Sequence, residues 1–214
     1  MNVMWMVGIN QSTAMLFETP RAAGGYGFGA RSVGYLCFSP IIGLIIGELI
    51  GHWANVFFVD RYVRRYRGLF RPEAHLTVIY PSEVLVVSSL VLIGQSLKHL
   101  LHWSALAFGW AMNMAGIMLM SVAITTYALD SYPNASAEIS VLVIFARNIG
   151  GFSVAYFQFQ WGETSGFDVS FGIQAAVVAA SVLIIIFLHV AGERVRVKFG
   201  PLKYTNGGKK GERA

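Results

Sequence analysis

Residues 169–190 read VSFGIQAAVVAASVLIIIFLHV and contain no Asp, Glu, Lys or Arg. About 20 apolar residues in an α-helix, each rising 1.5 Å, are enough to cross a hydrocarbon core of roughly 30 Å. Apolar runs of similar length, each with at most two charged residues, cover residues 33–58, 76–97, 101–129 and 138–161, and a shorter apolar run covers residues 2–17. The sequence therefore predicts an all-α membrane protein, a bundle of six transmembrane helices.

The composition supports a membrane location. Hydrophobic residues make up 55% of the chain and charged residues only 13%, which is about half the charged share of a soluble domain. A soluble chain of 214 residues has too little interior to hide this much apolar surface. Soluble enzymes are therefore excluded as a class. The single cysteine, Cys37, leaves no disulfide or zinc framework.

Basic residues gather at two places beside the spans. Five arginines follow the second span, and seven lysines and arginines lie after residue 193. Six spans would put both places on one side of the membrane, and the positive-inside rule makes that side cytosolic. This topology explains the net charge of +5 without a nucleic-acid partner.

We therefore predict a six-helix domain at residues 1–193 and a disordered basic tail at residues 194–214. Both termini are expected in the cytosol, with the lipid bilayer as the main surrounding partner. The pattern suits the plasma membrane as well as a vacuolar-type internal membrane. The first span is short and starts abruptly, which indicates that the chain begins inside a helix.

Three glycines spaced four residues apart mark one face of the second span. Gly43, Gly47 and Gly51 lie on the same side of a helix, where the missing side chains let a neighbouring helix approach closely. We interpret this face as a helix-packing surface that also suits helices sliding against each other. Gly150 and Gly151 are a second candidate packing site, in the fifth span.

A polar stripe lies beside these glycines. Glu48, His52 and Asn55 follow one another at helical spacing. A carboxylate that faces lipid is costly, so we expect the stripe to face the bundle interior or a water-filled path. Two interpretations remain open: a buried hydrogen-bond network, and a gate or proton-handling site. No metal ligands are expected among these residues.

Arg147 is placed near the bilayer centre by its position in the fifth span. Insertion scales put the cost of an arginine there at about 2.5–3.5 kcal/mol, which calls for a partner, a cavity or an anionic substrate. A structural ion pair and a substrate or coupling role are equally compatible with the sequence. Asn113, with Ser121 and Thr125, gives the fourth span a mildly polar face that lines a cavity or bonds to neighbours.

The segment after the second span carries Asp60, Arg61, Arg64 and Arg65. Membrane topology alone explains arginines at this place. The aspartate also suits a cytosolic latch, in which it caps a facing helix or pairs with an arginine until a conformational change breaks the contact. Elsewhere the sequence has no P-loop, nucleophile elbow or metal-ligand pair. We therefore expect no enzymatic activity and no cofactor.

Several motifs together resemble the fungal members of the major facilitator superfamily. They are residues 24–28 (GGYGF), 51–65 (GHWANVFFVDRYVRR), 70–74 (FRPEA), 127–133 (YALDSYP) and 145–152 (FARNIGGF). The resemblance reaches from the start of the chain to about residue 195. The combination of motifs is far more specific than any one of them.

The resemblance implies that the six spans correspond to helices seven to twelve, the C-terminal half of a twelve-helix transporter. It also implies that residues 56–65 match the superfamily's loop motif, Gly-x-x-x-Asp-Arg-x-Gly-Arg-Arg. The chain keeps Asp60, Arg61, Arg64 and Arg65, and has Val56 and Val63 at the two glycine positions. In this superfamily the substrate binds near the midplane between two halves that rock around it.

Two functions follow as hypotheses. The first is transport of a small organic solute, energised by a proton gradient, with Glu48 and Arg147 in gating or coupling. The partner would then be the missing N-terminal half or another transporter chain. The second is a truncated, non-transporting membrane protein that pairs with a full-length transporter and regulates it. A fragment, a mis-assembled gene product, a degenerate copy and half of an assembly all remain open.

Overall fold

The computed structural model describes residues 27–65, 72–99, 101–131 and 135–199. These residues form a bundle of α-helices, which confirms the all-α prediction. Within these ranges no strand occurs. The helices are α1 (Ala30–Leu36), α2 (Phe38–Arg65), α3 (Ile79–Lys98), α4 (Trp103–Ser131), α5 (Ser136–Ser165) and α6 (Phe167–Phe199), with a 3₁₀ helix at Pro72–Val78 before α3.

Five helical stretches in the described ranges are long and apolar enough to cross a membrane. They are Arg31–Arg64, Ala74–Lys98, Trp103–Ser131, Ser136–Val154 and Asp168–Gly192. The chain is therefore an integral, multi-pass membrane protein in contact with the lipid bilayer. The predicted first span, residues 2–17, lies outside the described residues, as does the tail from residue 200 onward.

Two helices extend beyond the predicted spans. Helix α2 continues to Arg65, because no glycine or proline interrupts residues 52–67 and hydropathy marks only where a helix leaves the apolar core. Helix α6 continues to Phe199, directly before Gly200 and Pro201, which are strong helix-ending signals. Residues 194–199 are therefore helical rather than part of a disordered tail. Of the 3₁₀ helix, residues 72–75 lie in the predicted loop between two spans, and residues 76–78 lie in the span predicted at 76–97.

Helix α4 is the centre of the described bundle. It packs against α2 on one side and α3 on the other, and α3 in turn packs against α6. One apolar cluster fills the space between α3, α4 and α6 around Leu90, Trp110 and Phe171. A second cluster, around Met120 and Ile185, fills the end where the 3₁₀ helix joins α3.

The glycine face of α2 lies against the backbone of α4. A Cβ atom on Gly47 would lie 2.6 Å from the Cα of Ala115, and one on Gly43 would overlap the carbonyl group of Ala111. At Gly51 the nearest atom, the Cα of Leu119, would be 3.5 Å away, an ordinary contact distance. The two helices therefore approach most closely at Gly43 and Gly47.

Helices α5 and α6 are joined by a single residue. Gly166 has a φ of +88°, a left-handed conformation that side-chain-bearing residues rarely adopt. Its amide donates to the carbonyl of Gly162 and its carbonyl accepts from Ser170, so that both helix ends are closed at this point.

Helices α2 and α5 have large outward faces. Only 22% of the apolar window in the α2 span and 11% of that in the α5 span are buried within the described bundle. Ile45, Leu49 and Trp53 project from α2, and Leu142 and Phe145 from α5. Such continuous apolar faces suit contact with lipid or with another membrane protein.

Candidate functional site

A cavity of about 540 Å³ lies between α4, α5, α6 and the beginning of α3. We call it the α5 cavity. Most of its walls are aliphatic, including Ile79 from α3, Met120 and Ile124 from α4, and Ile184 and Leu188 from α6. The polar groups on the wall are few: Ser121, Tyr127, Arg147 and Ser181. This is the composition of a site for a mainly apolar molecule with one charged group.

Arg147 reaches the α5 cavity from the middle of α5. Its Nη2 donates a hydrogen bond to Oγ1 of Thr125 on α4, over 3.2 Å. Within the described residues no carboxylate forms an ion pair with this guanidinium. Of the alternatives that the sequence left open for Arg147, the described residues give it a cavity and a neutral hydroxyl partner. Gly150 lines the same cavity one turn later, and Gly151 is buried.

A buried carboxylate lies behind the cavity wall and was missed by the sequence reasoning. Glu83 is 2% exposed, near the start of α3. The hydroxyl of Ser181, which lines the α5 cavity, donates to Oε1 of Glu83 over 2.7 Å. The available signal was a carboxylate inside the apolar run 76–97, the kind of residue that marks functional sites in membrane helices.

Three elements meet at His75, a buried residue of the 3₁₀ helix. Its Nδ1 is hydrogen-bonded to Oδ1 of Asn55 on α2 over 2.7 Å, and its Nε2 to Oδ2 of Asp130 on α4 over 2.9 Å. We call this group the His75 junction. It lies at the end of the bundle where α2 and α4 finish and α3 begins, the same end as the α5 cavity.

The predicted polar stripe of α2 is divided by the structure. Asn55 joins the His75 junction, whereas Glu48 and His52 are exposed. Within the described helices these two side chains therefore lie on the outer surface of α2 and not in the bundle interior. The reason is helical geometry: Gly47 and Gly51 face α4, and each next residue is turned by about 100° away from that contact.

Asn113 is fully buried in the core rather than in a cavity wall. Its Nδ2 donates to Oγ of Ser89 on α3 over 2.9 Å. Gln174 and Gln158 form a similar pair between α6 and α5, over 2.9 Å. These amides connect neighbouring helices through hydrogen bonds in an otherwise apolar interior.

The Asn113–Ser89 pair should contribute measurably to stability. We expect a coupling free energy of about 0.6 kcal/mol, and no more than about 1.7 kcal/mol, as for other hydrogen bonds between membrane helices. A double-mutant cycle of Asn113→Ala and Ser89→Ala, read as thermal stability in detergent, measures it. Strictly additive losses of the two single variants would show that the hydrogen bond contributes nothing.

The basic segment after the second span is helical where it is described. Nε of Arg64 lies 2.9 Å from Oδ2 of Asp60, one turn earlier on the same helix, and both side chains are mostly exposed. Arg61 is exposed as well, and the side chain of Arg65 is not among those that the structure describes. Of the two contacts considered for Asp60, a facing helix or an arginine, the described residues show the pair with an arginine, within α2 itself.

The opposite end of the bundle is held by a different ion pair. Nζ of Lys98, at the end of α3, lies 2.8 Å from Oδ2 of Asp168, at the start of α6. Within the described ranges no group of three metal-binding side chains comes together.

The candidate site therefore consists of an arginine in an apolar cavity, with a buried carboxylate behind the cavity wall.

Comparisons with known proteins point to one class. No family model and no solved structure matches the chain. Among curated proteins, it is 25% identical to the MFS-type transporter hepF of Aspergillus oryzae, over 81% of the chain and 35% of that protein. It is 28% identical to the uncharacterized transporter C1529.01 of Schizosaccharomyces pombe, over 71% of the chain and 32% of the relative.

A third relative is the efflux pump FUB11 of Gibberella moniliformis, 24% identical over 79% of the chain and 28% of that protein. The chain is thus a helical membrane protein that is similar to proteins named as transporters. The chain resembles transporters of the major facilitator superfamily, as its motifs predicted. It spans about a third of the length of the curated relatives it matches.

Proposed function

We propose that the chain takes part in moving a small organic solute across a membrane, as the C-terminal six-helix portion of a proton-coupled major facilitator transporter. The observation that carries this proposal is the α5 cavity, because a membrane-buried arginine facing apolar walls suits solute recognition. The names of the relatives, which include MFS-type transporters and an efflux pump, support the same function.

The proposed topology places both termini and the His75 junction on the cytosolic side. The arginines at the end of α2 and the basic residues after residue 193 support this orientation through the positive-inside rule. The membrane is then the plasma membrane or a vacuolar-type internal membrane. The solute site would be completed by the N-terminal half or by another transporter chain, which supplies the facing wall.

Two measurements test the transport proposal. An antibody to residues 198–213 shows in native membranes whether the chain occurs at 23.5 kDa or within a longer product. The product found is then reconstituted in vesicles with a pH-sensitive dye inside. Candidate solutes should evoke proton movement only in vesicles that contain the protein. If neither the chain nor a longer product moves any solute or proton, the proposal is wrong.

Within this proposal Glu83 is a better proton carrier than Glu48. Glu83 is buried beside a cavity-lining hydroxyl, whereas Glu48 is exposed on the outer face of α2. A carboxylate enclosed next to a cavity can change its protonation when the cavity fills or empties, since its surroundings change with the occupant. Arg147 would meet the solute, and Glu83 would carry the proton.

The variant Glu83→Gln should reduce solute-evoked proton movement to the level of vesicles without protein. Glutamine keeps the size and the acceptor for Ser181 but cannot exchange a proton. The matched change Glu48→Gln removes a carboxylate from an exposed position on α2. A loss of coupling in Glu48→Gln with normal coupling in Glu83→Gln would return the role to Glu48.

A non-transporting partner is the second candidate function. The outward apolar faces of α2 and α5 favour it, because they offer a large surface to another transporter chain. Under this hypothesis the chain co-purifies with a twelve-helix transporter and changes its rate, while the chain itself moves no solute. Flux from the isolated chain would exclude this function.

A further inference from the structure

The α5 cavity contains a strong and incompletely used recognition group. The guanidinium of Arg147 has five N–H donors in a planar fork, and its polar partner among the described residues is the hydroxyl of Thr125, 3.2 Å from Nη2. A hydroxyl does not neutralise the charge. An arginine of this kind is suited to a carboxylate, which accepts two parallel hydrogen bonds from it and supplies the opposite charge.

The rest of the cavity determines what the carboxylate can be attached to. Its volume of about 540 Å³ lies within the range of about 300–1,000 Å³ that is usual for small-molecule sites. Aliphatic side chains of α4 and α6, such as Met120, Ile185 and Leu188, cover most of the surface. Polar solutes such as sugars carry more hydroxyl groups than the few polar side chains of this wall can satisfy, and burying the remainder would be costly.

We propose that the α5 cavity binds an anionic amphiphile, with its acid group paired to Arg147 and its hydrocarbon body against the aliphatic walls. An anionic amphiphile is then the substrate class of the proposed transporter. Only the transport of this ligand, and not its binding, rests on the proposed function. Binding itself is a property of the described helices. The acid is supplied by a solute such as a medium-chain carboxylic acid or by an anionic lipid of the bilayer, and both share the same chemistry.

The test uses the full chain in nanodiscs of neutral phosphatidylcholine and a photoreactive dodecanoic acid carrying a diazirine on its chain. The corresponding dodecanol probe partitions into the same lipid without the charge. We expect the acid to label peptides from residues 117–127 and 143–150, and unlabelled dodecanoate, but not dodecanol, to compete. Equal labelling by the acid and the alcohol, or labelling spread over all outward faces, would overturn the proposal.

Three variants locate the interaction. Arg147→Gln should weaken acid labelling by about tenfold to a hundredfold, the range for losing a charged hydrogen bond of about 1.5–3 kcal/mol. Ala146→Phe, which fills the cavity without changing charge, should weaken both probes. Arg31→Gln removes an exposed arginine at the start of α1, outside the cavity, and should leave labelling unchanged. Normal labelling of Arg147→Gln would contradict the assignment.

Two further measurements complete the experiment. The first distinguishes a lipid ligand from a solute, and the second distinguishes the binding site from the transport function. Anionic phosphatidylserine added to the nanodiscs displaces the probe if the bilayer supplies the acid, and leaves labelling intact if a solute does. Charge-selective labelling without solute flux supports the binding site and removes the transport function. Flux of other solutes without such labelling keeps transport and removes this binding site.

Discussion

Leucine in place of Gly47 should separate α2 from α4 and lower the thermal stability of the protein more than any other single change proposed for this chain. Even a Cβ atom there would lie 2.6 Å from the Cα of Ala115. The obstacle is backbone, which cannot turn aside as a flexible side chain can. The two helices must therefore move apart, at a cost of about 1–3 kcal/mol or more.

The measurement is the temperature at which half of the monodisperse protein is lost on size-exclusion chromatography in detergent. Gly172→Leu is the matched control, because Gly172 lies inside α6 with nothing within 4 Å of its Cβ position. Gly51→Ala should also be tolerated, since its nearest contact is 3.5 Å. Equal losses for Gly47→Leu and Gly172→Leu would show that the close approach of α2 and α4 is unimportant.

Alanine in place of His75 should have the second largest effect on stability. It removes both hydrogen bonds of the His75 junction, 2.7 Å to Asn55 and 2.9 Å to Asp130. At about 0.5–1.5 kcal/mol for each bond, the expected loss is about 1–3 kcal/mol. The change acts on the contacts between α2, the 3₁₀ helix and α4, so limited proteolysis at this end of the bundle should become faster.

His102→Ala is the control for this variant, because His102 is exposed and its Nδ1 contacts only the nearby Ser104 in the described structure. Double-mutant cycles with Asn55→Ala and with Asp130→Asn separate the two bonds. If the losses in both cycles are additive, the hydrogen bonds to Asn55 and Asp130 do not hold the junction, and other contacts of His75 account for its stabilising effect.

The helices that cross the membrane were predictable because a single property, apolar length, determines them. The residues at which these helices end were harder to predict. The continuation of α2 from residue 58 to Arg65 leaves no trace in hydropathy, since charged residues such as Arg61 and Arg64 are good helix formers outside the bilayer. The 3₁₀ helix at Pro72–Val78 contacts α2 and α4, and its hydrogen bonds from His75 reach residues 20 and 55 positions away in sequence.

The candidate site was predictable only in part. The position of Arg147 inside a span called for a partner, a cavity or an anionic substrate, but the identity of its neighbour Thr125 depends on how α4 and α5 pack. Periodicity placed Glu48, His52 and Asn55 near one another without saying which side α4 would cover. His75 stood at the edge of a predicted loop, and its partners are 20 and 55 residues away in sequence.

The buried polar pairs between helices have a consequence for how the bundle can move. Glu83 with Ser181, and Ser89 with Asn113, join α3 to α6 and to α4 at defined heights. A slide of one helical turn, about 5.4 Å, would break these pairs and leave polar atoms facing hydrocarbon. We therefore expect α3, α4 and α6 to keep their relative registers when other parts of the bundle move.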